Sequence, residues 1–190
     1  MPKIGMEPLR RDALIKAAIA EIGRVGSLDV TVSQIARRVG VSSALAHHYM
    51  GGKTQIFLAA MRHILSKYGA EVRRELATAK PDERAEAIIR ASYSAASFEP
   101  EAIGAWMTFY VLAQTEPEAL RLWRVYQCRA RSNLTHALRP VCARPVSAAD
   151  TLVVLTDGLY IRAALNDPDT PQLPLDHTLR VLKMLKDMPE

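Results

Sequence analysis

Between Thr31 and Lys53 the chain has room for only two very short helices, and the residue that divides them limits how they can lie. Thr31 offers a side-chain oxygen as an N-cap ahead of Val32, Ile35, Ala36 and Val39, which recur at helical spacing. Gly40 supplies a backbone position open to the left-handed region, a common stop for a short helix. Ser42 is a second N-cap, and the helix that it opens runs over 43–49 until Gly51 and Gly52 break it.

Helices this short are not stable alone, since isolated helices below about 12–15 residues are marginal in water. Neighbours must hold them. One is predicted over 8–25, where Leu14, Ala18, Ile22 and Val25 keep helical step and Gly26 follows as a stop. The other is a long helix over 53–79, ended by Pro81. Two short helices joined by a glycine-containing turn make a helix-turn-helix, in which the second helix enters the DNA major groove and the first lies across the backbone. Ile35, Ala36 and Val41 supply the small apolar contacts that would set the angle between them.

The remainder reads as helix after helix, with no run of alternating strand residues. Asp82 is placed to cap a helix over 83–97, Pro100 opens one over 100–114, and Pro117 opens one over 117–139. Ser147 with Asp150 resembles a capping box for a helix over 147–166. After Pro168, Pro171 and Pro174, Asp176 is placed to cap the last helix, over 176–188. The expectation is an all-α chain of nine helices without internal repeats. A DNA-reading domain would occupy 1–54 and a larger helical domain 55–190.

Charge follows the same division. Residues 1–55 hold eight Lys/Arg against four Asp/Glu, whereas the rest hold seventeen against sixteen. A basic front end suits a polyanion, because each neutralised phosphate releases condensed counterions. A solvated charged face would look the same from charge alone. Apolar residues at 49% and charged residues at 24% are ordinary for a soluble globular chain, and no window approaches the ~18 apolar residues of a membrane span, so a cytoplasmic protein is expected. The two cysteines, Cys128 and Cys142, are too few for a disulfide framework or a zinc site and are read as structural.

Catalytic and metal chemistry find no starting residue. Gly52-Lys53-Thr54 imitates the end of a phosphate-binding loop, but the required first glycine falls on His47. His47 and His48 are adjacent, so a helix points them to different sides, unlike an i, i+4 chelating pair. No enzyme, no cofactor and no metal is expected.

The residue types of this region also resemble a known family. Thr31, Ile35-Ala36, Gly40-Val41-Ser42, Tyr49 and Lys53 stand where the TetR family of bacterial regulators carries the same types. The chain departs from that pattern at Ala44, where Gly or Pro is frequent, at Ala46, where a larger aliphatic usually packs, and at Met50, where Phe is common. None of these removes a polar DNA contact. The resemblance implies that Ser43, Ala44 and Leu45 face base edges and that Thr31, Ser42, His47, Tyr49 and Lys53 meet phosphates, with His48 on the same helix. Serine can serve base or phosphate, and Ala and Leu can meet a thymine methyl. Arg10 and Arg11 either add backbone contacts or are simply solvated.

Aromatics concentrate further on: Trp106, Phe109 and Tyr110, then Trp123 and Tyr126, then Tyr160. Such stripes usually form core. Together with Ala105-Trp106, Ser132-Asn133-Leu134, Asp157-Gly158-Leu159, Arg162-Ala163-Ala164-Leu165 and the opening Met1-Pro2-Lys3-Ile4-Gly5-Met6, they resemble the choline-responsive BetI-type branch of the TetR repressors, which controls genes of glycine betaine synthesis. That resemblance implies choline as effector, with Trp106, Phe109, Tyr110, Trp123, Tyr126 and Tyr160 as candidate cage residues and Asp157 as counter-charge. Asp157 as a structural acid paired with Arg162 or Arg131 is the competing reading. The resemblance further implies a homodimer through the last two helices on a near-palindromic operator. The expected ligand response is a population shift in which helix 53–79 swings the DNA-reading domain. A TetR-type repressor of another pathway or efflux gene, sensing a different cationic or hydrophobic molecule, is the alternative.

Overall fold

The computed structural model describes residues 6–166 and 172–189, which form nine α-helices and one 3-10 turn with no strand among them. In chain order the helices are α1 (Met6–Val25), α2 (Val32–Val39), α3 (Ser43–Met50), α4 (Lys53–Thr78), α5 (Arg84–Ser92), α6 (Pro100–Thr115), α7 (Pro117–Leu138), α8 (Pro145–Asn166) and α9 (Gln172–Asp187). The 3-10 turn, Ala95–Phe98, lies between α5 and α6. Residues 1–5, Pro168 and Pro171 lie outside the described residues. No helix among the described residues is long and apolar enough to cross a membrane.

Two compact units form, and neither is continuous in sequence. The first joins the residues up to Leu65 with Pro100–Arg121, so α6 falls in the same unit as the helix-turn-helix and packs against α1. Its core is Leu14, Ala18 and Ile22 of α1, Ile35 and Ala36 of α2, Ala46 and Met50 of α3, and Ile56, Phe57 and Leu58 of α4. Its most extensive helix pair is α1 with α6, and there Gly23 and Gly104 let the two backbones touch. A Cβ built on Gly104 would lie 2.7 Å from the Gly23 Cα, and one on Gly23 would lie 2.5 Å from the Glu101 carbonyl oxygen.

The second unit joins Ser66–Glu99 with the described residues from Leu122 onward. Ile88 and Ile89 of α5, Leu134 and Leu138 of α7, Leu152 of α8, and Leu175 and Leu182 of α9 are buried. Thr178 is wholly buried as well, its hydroxyl satisfied by Tyr93 at 2.9 Å and by the Pro174 carbonyl at 2.9 Å.

Several expected boundaries move. The helix predicted over 83–97 stops at Ser92, where the serines bond locally: Ser92, its last residue, to the Ile88 carbonyl at 3.2 Å and, beyond it, Ser94 to Ser97 at 3.1 Å. Asp82 does not cap it. Glu83 occupies that position, without a side-chain cap, and the Asp82 carbonyl accepts from Lys186 instead. α8 starts at Pro145, whose ring presets the helical φ at the first position, and the Asp150 carboxylate goes to Arg131 rather than to a capping box. α9 is under way by Gln172, which places Asp176 inside it. Cys128 is exposed rather than buried in a core, while Cys142 donates to the Leu185 carbonyl at 3.4 Å.

Candidate operator interface and effector site

The helix-turn-helix is built by local hydrogen bonds. Thr31 accepts from the Gln34 amide at 3.2 Å while the Gln34 side chain accepts from the Thr31 amide at 2.7 Å, a complete capping box. Gly40 takes φ 74°, and the Val41 amide donates to the Ala36 carbonyl at 3.0 Å, closing α2. Ser42 then accepts from the Leu45 amide at 3.2 Å to open α3. Ala46 and Met50 face inward, leaving Ala44, His47 and His48 exposed and Ser43, Leu45 and Tyr49 partly so.

Thr31, Ser42 and Lys53 are exposed as well, so all nine residues expected to meet DNA lie at the surface of the first unit. Lys53 is the first residue of α4, where the helix dipole disfavours a cation by about 0.3–1 kcal/mol. It does little for the helix there and suits an anion outside it. Its ammonium stands 5.7 Å from the centre of the Phe57 ring. The ring of His47 donates through Nδ1 to the Gly51 carbonyl at 3.1 Å, since a carbonyl can only accept. In the neutral ring this leaves Nε2 an acceptor, a poor match for a phosphate.

Two features of this unit escape a reading of the sequence. Arg10 donates to the Tyr49 hydroxyl at 2.9 Å, its guanidinium carbon 6.0 Å from the ring centre, whereas Arg11 pairs with Glu7. With one lone pair so used, the Tyr49 hydroxyl is free to donate outward. Glu21, 7% exposed, bonds Arg24 at 2.9 Å and Arg38 at 2.7 Å, tying α1 to α2. Those bonds to Arg24 and Arg38 hold its carboxyl below the usual glutamate range, against the opposing effect of burial. The tie is therefore whole above the ordinary glutamate value and is lost as pH falls through the lowered one. The only hint in sequence is an acid within the apolar stripe of α1.

If Arg10 acts by holding Tyr49, Arg10→Ala and Tyr49→Phe should each weaken operator binding by about 3- to 10-fold, the range of one hydrogen bond. The double variant should be no worse than either, a coupling that a double-mutant cycle in a DNA titration measures. Additive losses would mean that the two side chains work separately.

The residues expected to form a cage divide between the units. Trp106, Phe109 and Tyr110 belong to the first: Trp106 donates to Tyr110 at 3.0 Å and lies 5.7 Å from Phe109, which is buried. Trp123, Tyr126, Asp157 and Tyr160 belong to the second. There Asp157 of α8 accepts from Gln127 of α7 at 2.7 Å and also from Tyr126. Tyr126 packs edge-on against Tyr68 of α4 at 5.9 Å, and Tyr68 bonds Ser92 at 3.2 Å. Tyr160 donates to the Ser97 carbonyl at 2.9 Å and meets Phe98 edge-on at 5.2 Å, while Phe98 stacks with Tyr93 at 6.2 Å.

Neither Arg162 nor Arg131 pairs with Asp157. Arg131 is bonded to Asp150, and among the described residues no cation lies within ion-pair distance of the Asp157 carboxylate. Burial pushes its carboxyl above the usual aspartate range, although the Gln127 and Tyr126 bonds pull the other way. Burial likewise raises Tyr68 and Tyr93, with the Asp157 charge adding to both. Tyr68, Tyr93, Phe98 and Gln127 are thus members of this cluster that the sequence did not single out. They sit on α4, just after α5, on the 3-10 turn and on α7, and no spacing along the chain links them.

Comparison with known proteins agrees with both halves. Residues 14–60 match the bacterial regulatory proteins of the tetR family, and residues 81–185 match the C-terminal region of the BetI-type transcriptional repressors. The HTH-type transcriptional regulator BetI of Brucella suis is 53% identical over 168 residues, covering 87% of this chain and 85% of that protein. Its counterpart in Rhizobium meliloti is 47% identical over 170 residues, covering 87% and 83%. In fold, a transcriptional regulator of Pseudomonas aeruginosa PAO1 aligns with a TM-score of 0.83 at 24% identity, covering 97% of this chain and 93% of that one. One from Saccharomonospora viridis, crystallised in complex with choline, aligns at 0.78 and 18%, covering 93% and 96%. With both regions matched and relatives about half identical along most of its length, this chain belongs to the TetR family of bacterial transcriptional regulators, in its BetI-type branch.

Proposed function

We propose that the chain is a homodimeric repressor whose grip on its operator is loosened by a quaternary ammonium compound, choline first among them, bound at Asp157. The observation that carries this reading is a half-buried carboxylate without a cationic partner among the described residues, bonded by Gln127 and Tyr126, with Tyr68 packed against Tyr126. A buried carboxylate normally needs a cation or a proton. A trimethylammonium group cannot donate hydrogen bonds and is held instead by aromatic faces and an opposite charge, at about 0.5–2 kcal/mol per aromatic contact. The BetI-type match supports a regulator of that branch, which would control glycine betaine genes from the cytoplasm, and the Saccharomonospora regulator of the same fold was crystallised with choline.

In this reading residues 1–54 read DNA and 55–190 sense and dimerise. Ser43, Ala44 and Leu45 meet base edges, while Thr31, Ser42, Tyr49 and Lys53 meet phosphates. The dimer forms through α8 and α9, where Val154 is 73% exposed, Leu165 74% and Met184 67%, apolar surface that a second copy would cover. α4 and α7 each begin in the first compact unit and end in the second, and α4, which directly follows the reading head, is the one that couples ligand to operator in this reading.

Purified protein titrated onto DNA from its own gene neighbourhood, at fixed salt and with choline added, tests this. Specific binding that choline weakens is the expected result, by about 5- to 150-fold for an ordinary coupling. Specific binding indifferent to choline would leave the regulator and assign the Asp157 cluster to another ligand.

A further inference from the structure

Trp123 carries a buried indole N–H with no hydrogen-bond partner among the described residues. Native proteins pair nearly all such donors, so an orphan needs a reason. The contrast with Trp106, whose indole N–H reaches the Tyr110 hydroxyl at 3.0 Å, shows that this chain supplies a partner elsewhere. The position of Trp123 supplies the reason. It stands on α7 three residues before Tyr126 and four before Gln127, a spacing that puts all three on one helix face with Cβ atoms about 5–6 Å apart. Tyr126 and Gln127 are the two groups that bond Asp157.

A cation seated at Asp157 therefore has, one helical turn away along α7, a donor waiting for an acceptor. The methylammonium head itself offers none. An oxygen two carbons from the nitrogen does. We infer that the Trp123 indole N–H binds the oxygen end of the effector, so that the site selects a quaternary ammonium carrying a hydroxyl or carbonyl oxygen two carbons from its nitrogen. This rests on the Asp157 reading given above. An acid at the same place would bring a second negative charge toward Asp157, and like charges sharing a site disfavour each other, so a carboxylate-bearing analogue is expected to bind worse than the alcohol.

The test compares choline with propyltrimethylammonium, in which a methyl replaces the hydroxyl, by calorimetry on the full-length dimer. A site that hydrogen-bonds an oxygen rejects the analogue lacking it, and the expected preference for choline is at least about 10-fold. Trp123→Phe keeps a ring in the wall and removes only the donor, so the ratio should fall to near one whatever loss the two ligands share. The protein has two tryptophans, so the two indole N–H signals in a proton–nitrogen spectrum give a second readout. Choline should shift the one that disappears in Trp123→Phe, and propyltrimethylammonium should not shift it downfield. An unchanged ratio in Trp123→Phe would overturn the inference while leaving a cation site at Asp157. Equal binding of the two ligands by the unaltered protein would do the same, and binding of neither would overturn the cation site as well.

Discussion

Replacing Gly23 by alanine is expected to destabilise the first unit by about 1–3 kcal/mol, the usual cost of forcing a methyl into a packed interior. The sign is the informative part. In an exposed helix interior the same change stabilises by roughly 1 kcal/mol, because alanine loses less backbone entropy than glycine. At Gly23 the added Cβ would stand 2.5 Å from the Glu101 carbonyl oxygen, and backbone cannot step aside as a flexible side chain can. Gly69 in α4 is the control, since its added Cβ would meet only the end of the Arg73 side chain at 3.5 Å. Denaturant titration should therefore show Gly23→Ala less stable than the parent and Gly69→Ala at least as stable. Gly104→Ala should resemble Gly23→Ala, and the double variant should fall short of the sum because one crossing is opened in both. A Gly23→Ala protein as stable as the parent would mean that α1 and α6 have room to part.

Asp157→Asn should weaken choline binding by at least about 30-fold, since removing one partner of a desolvated charge pair typically costs about 2–5 kcal/mol. The fold should survive, because an amide oxygen can still accept from Gln127. The free protein should in fact gain stability at neutral pH. Burial raises the Asp157 carboxyl in the folded state, so the folded protein binds its proton where the unfolded chain does not. The stability that this protonation contributes is whole below the ordinary aspartate value and is lost as pH rises through the raised one. Asparagine removes that loss. The same titration gives choline affinity a pH dependence: it should weaken as pH falls through the raised Asp157 value and level off above it. In Asp157→Asn the dependence should flatten. Thermal melts of both proteins at pH 7, with calorimetry across the acid range, check the two halves. An asparagine variant that keeps choline affinity would move the cation elsewhere.

Both predictions depend on features that the linear chain conceals to different degrees. The helix-turn-helix was legible because its determinants act within a few residues. Thr31 caps through Gln34, Gly40 takes a backbone angle that other residues avoid, and Ser42 caps through Leu45. Prolines placed the starts of α6 and α7 for the same reason. Where local signals competed, the reading slipped: a serine-rich stretch cut α5 short, and Arg131 drew Asp150 out of the capping box expected of it.

The sequence by itself determined the fold class, the reading head and the stock of aromatics and acid from which a cation site could be made. Tertiary structure alone decided that Arg10 belongs with Tyr49, 39 residues away, and that α1 and α6 cross at two glycines. It also decided that Asp157 keeps company with Gln127, Tyr68 and Tyr126 rather than with an arginine. Caps and turns are settled by bonds between near neighbours along the chain. A buried carboxylate's partner, and how close two backbones come, depend on which helices the whole core brings together.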